Sequence, residues 1–357
     1  MYRKYLTIKS AFPKKLLEWN KKHNKRQMPW KGEKDPYKIW LSEIILQQTR
    51  VEQGWDYYNR FIAKYPSVLD LAAAKDADVF KLWEGLGYYS RCRNLLETAR
   101  HIVNQMKGVF PQDFEKILKL RGIGPYTAAA IASFAYDLPH AVVDGNVMRV
   151  LARFFGISEP IDSTNGKKLF AALAQQLLDK KKPGIYNQAI MDFGATVCKP
   201  QQPLCLQCPL QDGCVAYAKK RVDALPVKLK KLRKKNRWFY YILAQWRNGF
   251  YIRKREQKDI WQNLYEFLLI ETNDTLPEKE LLKQPLLKKS LGEFDLLDIS
   301  KEYKQQLTHQ TIHGKFVHIK LHKKILTEGY EWKTKKEIAG LAFTGFINAY
   351  FKGMKQH

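Results

Sequence analysis

The chain has 357 residues, 45% hydrophobic and 13% aromatic, which excludes a disordered protein and suffices for about two domains with ordinary cores. Lys and Arg number 62 against 35 Asp and Glu, a formal charge of +27 that favours a polyanionic partner, nucleic acid before membrane. No run approaches the roughly 18 apolar residues of a bilayer span, Met1 to Lys15 lacks the apolar centre of a secretory signal, and the five cysteines do not form a secreted disulfide framework, so a cytoplasmic location is expected.

The first two thirds read as helices. Helical patterns cover roughly 11–24, 54–64, 76–83, 113–120, 125–136, 145–155, 166–179 and 185–194, with no alternating strand pattern between them. Asp35-Pro36 supplies an N-cap and a first-turn proline for a strongly apolar helix over Tyr37–Gln47. Glu43 sits inside it, in Ile39-Trp40-Leu41-Ser42-Glu43-Ile44-Ile45-Leu46. Two readings are open there: a surface glutamate on a polar stripe beside Ser42, or a buried carboxyl whose lost hydration raises its pKa towards neutrality and suits a general acid. Ser90 is placed as the cap of another helix, with Leu95, Leu96, Ala99, Ile102, Val103 and Met106 on one face; Cys92 within it reads as packing.

Gly122 and Gly124 lie between two helical patterns, with Pro125 opening the second. This is either a plain helix–helix turn or a place where backbone amides approach a phosphate. Asp144, in Val142-Val143-Asp144-Gly145-Asn146-Val147, reads as an N-cap whose amide donors would keep the carboxylate ionised. One raised acid and one ionised carboxylate form the pairing that breaks glycosidic bonds through an oxocarbenium-like state. Cys198, Cys205, Cys208 and Cys214, spaced C-x6-C-x2-C-x5-C, can converge on zinc or on an iron–sulfur cluster; a single CxxC tilts the choice towards iron–sulfur.

Lys219 to Arg237 holds ten Lys or Arg and one acidic residue, which reads as an extended, self-repelling linker or a phosphate contact. Beyond it the pattern changes. Trp238 to Trp246 is aromatic and β-branched, Asn248-Gly249 is a hairpin signal, Phe250 to Arg255 can pair back, Lys315 to His322 alternates, and Lys335 to Phe351 reads as a closing helix. The expected organisation is a mainly α domain over 1–222 with a cysteine loop at 198–214, a basic linker at 223–237, and a smaller α+β domain over 238–357.

Several segments in this order carry a resemblance: Pro29-Trp30, Ser42-Glu43-Ile44-Ile45-Leu46-Gln47-Gln48-Thr49, Glu84-Gly85-Leu86-Gly87-Tyr88-Tyr89-Ser90-Arg91, the glycine hairpin, Val143-Asp144-Gly145-Asn146-Val147 and the cysteine spacing. Together they resemble the helix–hairpin–helix DNA glycosylases related to endonuclease III and, within them, the MutY family of adenine DNA glycosylases. The resemblance covers nearly all of 29–221 and, weakly, the C-terminal domain. It implies a six-helix barrel module over about 30–138 and a second module joining the N-terminus to the cluster region. It also implies removal of adenine mispaired with 8-oxoguanine or guanine in double-stranded DNA, by flipping the base out of the stack.

Carried onto matching positions, Glu43 would protonate the flipped adenine and Asp144 would offset positive charge on the sugar, with Tyr126 and Asn146 assisting. Arg26, Trp30 and Gln188 would border the adenine pocket. Gln48 and Tyr88 would wedge into the duplex beside 8-oxoguanine with Thr49 and Leu86 nearby, and Arg91, Gly122 and Gly124 would contact DNA. Cys198, Cys205, Cys208 and Cys214 would hold one 4Fe–4S cluster. Tyr126 stands where strand-nicking relatives carry a lysine, so a monofunctional enzyme is expected, because a phenol cannot form a Schiff base. Lys31 replaces the arginine expected after Pro-Trp, keeping charge but not a bidentate fork.

The C-terminal domain resembles the Nudix-like domain with which this family reads 8-oxoguanine. Asp259 to Phe267 fits its strand motif, and Thr308-His309, in Leu307-Thr308-His309-Gln310, matches a Phe-Ser-His motif with leucine for phenylalanine and threonine for serine. The metal-binding helix of Nudix hydrolases is missing, so no pyrophosphatase activity is expected. The remaining expectations are a monomer, association with the nucleoid and a sliding clamp as a candidate protein partner. Two competing readings are a mismatch glycosylase for another base and a non-catalytic iron–sulfur protein that senses DNA damage.

Overall fold

The computed structural model describes residues 2–229 and 234–354. From the N-terminus to Ala218 the described chain is helical: α1 Tyr2–His23, α2 Pro36–Leu46, α3 Val51–Lys64, α4 Val68–Ala73, α5 Asp76–Trp83, α6 Tyr89–Met106, α7 Phe114–Leu118, α8 Pro125–Tyr136, α9 Gly145–Phe155, α10 Thr164–Leu177, α11 Pro183–Thr196 and α12 Val215–Ala218. None of the described helices is long and apolar enough to cross a membrane. The expected all-α reading holds, with α4 added. One detail differs: α6 begins at Tyr89, so Ser90 lies in its first turn rather than capping it.

Two compact units are present, residues 1–73 with 94–230, and residues 74–93 with 231–357. The first contains the site chemistry. Asp35 caps α2 by accepting from the Tyr37 amide, and Pro36 starts the helix. α2 is buried on almost every side, from Tyr37 to Ile45, and packs on α8, whose Ala128–Ala132 run lets the two backbones come close. Gln47 Nε2 also donates to Thr127 Oγ1 at 3.3 Å. A second core gathers Phe12, Leu16 and Trp19 of α1 against Val150, Leu151 and Phe154 of α9, with Phe170 of α10 and Phe193 of α11. Cys198, Cys208 and Cys214 pack on this core, so the N-terminal helix and the cysteine loop belong to one module, as expected.

The basic segment is not a free linker at its start. Ile161 donates its amide to Val227 O, the Leu229 amide donates to Asp162, and Arg153 Nε donates to Val222 O and Leu225 O. Residues 230–233 of this segment lie outside the described residues.

The second unit is a mixed sheet of β1 Lys235–Trp246, β2 Gly249–Lys254, β3 Tyr265–Thr272, β4 Phe294–Ile299, β5 Tyr303–Gln306, β6 Gln310–Leu321 and β7 Glu331–Thr334. Its order is β4-β6-β1-β3-β2-β7, with β5 also on β6 and β1 parallel to β6. Gly314 permits that central pairing, because a Cβ there would come within 1.8 Å of Phe239 O. The β1–β2 hairpin forms as expected, but Trp246 pairs with Gly249, so the turn is Arg247-Asn248. Arg247 carries the left-handed conformation (φ 50°), and Gly249 is needed in the strand, where a Cβ would lie 2.2 Å from Lys333 O. Asp259 to Phe267 is strand only from Tyr265, after a loop with left-handed Trp261 and Asn263.

Short helix α13 Glu278–Leu281 precedes β4, and the closing helix is two, α14 Lys335–Ala339 and α15 Gly345–Met354. The intervening residues run beside β3 instead, with the Tyr265 amide donating to Ala342 O. The division between the units falls at 230/231, inside the expected 223–237 linker, while residues 74–93 group with the C-terminal residues. Glu84 Oε1 accepts from the Phe343 amide at 2.8 Å, Lys81 Nζ donates to Leu341 O at 2.8 Å, and Arg93 donates to Gln262.

Candidate active site

Glu43 is 5% exposed and stands among the apolar residues of α2. The surface-stripe reading is therefore excluded. Burial pushes its carboxyl from an ordinary 4.5 up to about 7, a hydrogen bond from the Tyr126 hydroxyl opposes the rise, and the charge of Asp144 adds to it. Tyr126, in the first turn of α8, is pushed well above its usual range by burial and by the two neighbouring carboxyls, so it remains a neutral donor.

Asp144 caps α9 as expected, its Oδ1 accepting from the Val147 amide at 2.7 Å and its Oδ2 from Asn146 Nδ2 at 2.7 Å. Burial still raises its carboxyl above the ordinary value, against those donors and Arg149. The expectation of a carboxylate held down by its amides is thus modified by desolvation. The two acids remain unequal, because Asp144 is served by several donors and Glu43 by one phenol.

Asn146 is held in turn by Arg149 Nη2 at 2.8 Å, and Arg149 also donates to Cys198 O and Gly194 O at 2.8 Å. Arg153, one turn on, donates to Lys199 O, Pro200 O and Cys198 Sγ. Cys198, Cys205, Cys208 and Cys214 are free thiols lining one cavity with Arg153. Burial is the main cause of the raised thiol pKa values of Cys205, Cys208 and Cys214, with Cys208 pushed up to about 12. Among the described residues no group of three or more His, Cys, Asp or Glu side chains is arranged to hold a single metal ion. Four soft donors around one cavity, with an arginine donating to one sulfur, suit a larger iron–sulfur group.

Glu43 opens onto a cavity of about 460 Å³, within the usual range for small-ligand sites, lined by Trp30, Lys31, Phe134, Lys181 and Gln188 among others. Trp30 and Gln188 thus border it as expected. Arg26 does not line it; with Lys31, Asn24 and Gln188 it donates to the fully buried Asp192 of α11.

The hairpin glycines lie between α7 and α8. Gly122 is left-handed (φ 77°) and a Cβ there would meet Asn94 at 2.7 Å, whereas a Cβ on Gly124, the cap of α8, would meet nothing within 4 Å. The second position is therefore open to a ligand approaching the helix N-terminus. Gln48, exposed, and Tyr88, 43% exposed, are non-glycine residues with left-handed backbones (φ 59° and 49°), the kind of strain that collects at working positions. Thr49 is half-buried beside Gln48. Leu86 is buried, and so is Arg91, whose guanidinium lies 5.0 Å from the Tyr88 ring and 5.4 Å from the Trp83 ring. Both support the Tyr88 turn and offer little surface to a phosphate.

In the second unit, Thr308 and His309 form the tip between β5 and β6. Thr308 Oγ1 and the Tyr88 hydroxyl are hydrogen-bonded at 2.6 Å, His309 is exposed, and both line a cavity of about 530 Å³ with Tyr88, Arg93 and Lys258. The structure therefore brings Tyr88 together with Thr308-His309.

Asp192, Arg149 and Arg153 were missed in the sequence. Their signal was available: a charged residue inside an apolar helix, four residues from another polar one, as for Glu43.

Residues 41–180 match the HhH-GPD superfamily of base excision DNA repair proteins. The chain is 34% identical over 314 residues to the adenine DNA glycosylase of Buchnera aphidicola subsp. Schizaphis graminum, covering 87% of this chain and 86% of that one. It is 45% identical over 229 residues to the adenine DNA glycosylase of Mus musculus, covering 61% of this chain and 44% of that one. Among solved structures, a thermostable thymine-DNA glycosylase matches with a TM-score of 0.56 at 31% identity, over 60% of this chain and 99% of that one. Endonuclease III in a non-covalent DNA complex shares the fold, with a TM-score of 0.51 at 22% identity over 59% of this chain and 97% of that one.

Proposed function

Because the chain belongs to the adenine DNA glycosylases, DNA N-glycosylases of base excision repair, we propose that it releases adenine mispaired with 8-oxoguanine or guanine through Glu43 and Asp144. The observation that carries this reading is the enclosure of Glu43, Tyr126 and Asp144 together, with Glu43 raised to about 7 on the wall of a cavity bordered by Trp30 and Gln188. A flipped base in that cavity would receive the Glu43 proton, making the purine a better leaving group. Asp144, oriented by Asn146 and the Val147 amide, would offset the positive charge left on the sugar while water completes the hydrolysis.

Tyr126 offers no amine, so the product is an abasic site in an intact strand. Gln48 and Tyr88 wedge into the duplex beside 8-oxoguanine, with Thr49 and Leu86 nearby, and Gly122 and Gly124 present backbone to a phosphate. Thr308 and His309, beside Tyr88, read the 8-oxoguanine partner within a Nudix-like domain. Cys198, Cys205, Cys208 and Cys214 hold one 4Fe–4S cluster, which supplies a rigid anchor for the 198–214 loop. The protein acts as a nucleoid-associated monomer.

The test is single-turnover incubation with duplexes carrying adenine opposite 8-oxoguanine, guanine or thymine, scoring free adenine and nicked strand separately. Adenine release opposite 8-oxoguanine and guanine, without scission in the absence of base or heat, is expected. Strand cleavage by the untreated protein, or equal release opposite thymine, refutes the reading.

A further inference from the structure

We propose that Arg237 is a positioning residue for partner discrimination: it fixes the β5–β6 tip that carries Thr308 and His309 against the loop before β3. The inference rests on the reading of that tip as the element that recognises 8-oxoguanine. Thr308 and His309 sit in a tight turn closed by the Leu307 amide donating to Gln310 O at 2.8 Å, and the Lys235 amide of β1 donates to His309 O at 3.0 Å. Arg237, two residues further along β1, is 12% exposed, and its guanidinium lies 4.9 Å from the Phe239 ring.

A guanidinium carries five N–H donors in one rigid plane, and Arg237 uses all of them. Nη1 and Nη2 donate to Asp259 Oδ1 and Oδ2 at 2.9 and 2.7 Å, while Nε and Nη2 donate to Glu271 Oε1 and Oε2 at 2.7 and 2.9 Å. The remaining proton, on Nη1, goes to Gln310 Oε1 at 3.2 Å. Two bidentate pairs thus lock the plane onto β3 and onto the loop before it, and the fifth bond becomes a stiff reach to the residue that closes the tip. Asp259 is held from its other side by Arg255 Nη2 at 3.0 Å, and Arg255 also donates to the fully buried Glu266. Asp259 and Gln310 line the cavity of about 530 Å³ together with Thr308 and His309, so the clamp and the tip form one wall. A lysine there has three donors on a single atom and cannot serve two carboxylates in plane and Gln310 as well. Arg237 acts through Gln310, not on the base.

The measurement is the ratio of single-turnover rates for adenine opposite 8-oxoguanine and opposite guanine, with the full chain at one salt concentration. Gln310→Met keeps side-chain length and leaves both carboxylate pairs of Arg237 in place while removing the acceptor, and should lower the ratio about 3- to 10-fold. Arg237→Lys should lower it by a similar factor, with the rate opposite guanine changing less. The two together should fall no further than either alone, because they act in one chain. Lost stability by itself would slow both partners alike and leave the ratio where it was. A folded Gln310→Met protein with the wild-type ratio overturns the proposal, as does a full further drop in the double variant. If one of the two does not fold, the other decides by the same criterion. Thr308→Ala with His309→Ala, measured alongside, separates the two failures. An unchanged ratio there removes the tip from recognition and fails the underlying reading, whereas a fall there with none in Gln310→Met removes Arg237 alone.

Discussion

Replacing Glu43 with glutamine removes a titrating proton while keeping size and an acceptor for the Tyr126 hydroxyl. The wild-type carboxyl titrates near 7 in the folded protein against an ordinary 4.5. Between those values the folded chain keeps a proton that the unfolded chain has lost, so the native state is favoured at low pH and loses that advantage as pH rises through 7. The difference corresponds to about 3 kcal/mol above neutrality. Glutamine carries no charge to bury and escapes this cost. Glu43→Gln should therefore match the wild type in thermal stability near pH 4.5 and exceed it near pH 8, by about 4 °C for a chain of this size.

Base release should move the opposite way, falling about 100- to 10,000-fold at every pH, while the wild-type rate itself declines above 7 as the acid ionises. Melting curves at the two pH values and single-turnover rates on adenine opposite 8-oxoguanine read both effects from the same preparations. Melting temperatures that differ by a constant amount across this range would mean that Glu43 is not a buried acid. A variant that released adenine at the wild-type rate would remove it from the chemistry.

Thr308→Ala combined with His309→Ala should lower the rate ratio between 8-oxoguanine and guanine partners about tenfold, the value of one or two hydrogen bonds, while the rate opposite guanine changes less. An unchanged ratio would take the β5–β6 tip out of recognition. Cys205→Ser should lose most of the bound iron and the visible absorbance of an iron–sulfur protein, with a lower melting temperature; zinc in place of iron in the purified wild type would contradict the cluster assignment.

The helical part was legible because its signals are local: Asp35-Pro36 opens α2, and Asp144 caps α9 with the expected geometry. Glu43 itself was ambiguous, since a helix apolar on nearly all sides does not say whether its one acid faces solvent. The packing of α2 on α8 decided that. Asp192 escaped notice because its meaning depends on four donors, three of them more than 150 residues away in sequence. The closing helix was read as one although local signals mark the break, Gly340 capping the end of α14 and Thr344 accepting from the Ile347 amide at the start of α15, with Tyr265 pairing to Phe343 between them. Arg91 was assigned to DNA from its place in the motif, whereas its guanidinium is spent on Tyr88 and Trp83.

The grouping of Ala74–Arg93 with the C-terminal sheet bears on how the protein could be dissected. Severing the backbone in the lysine-rich stretch after Asp223 would not yield two self-sufficient halves. The helical fragment would keep an amputated limb, with Glu84 deprived of the Phe343 amide and Tyr88 of its threonine. A dissection that keeps these contacts has to carry the twenty residues 74–93 with the C-terminal sheet.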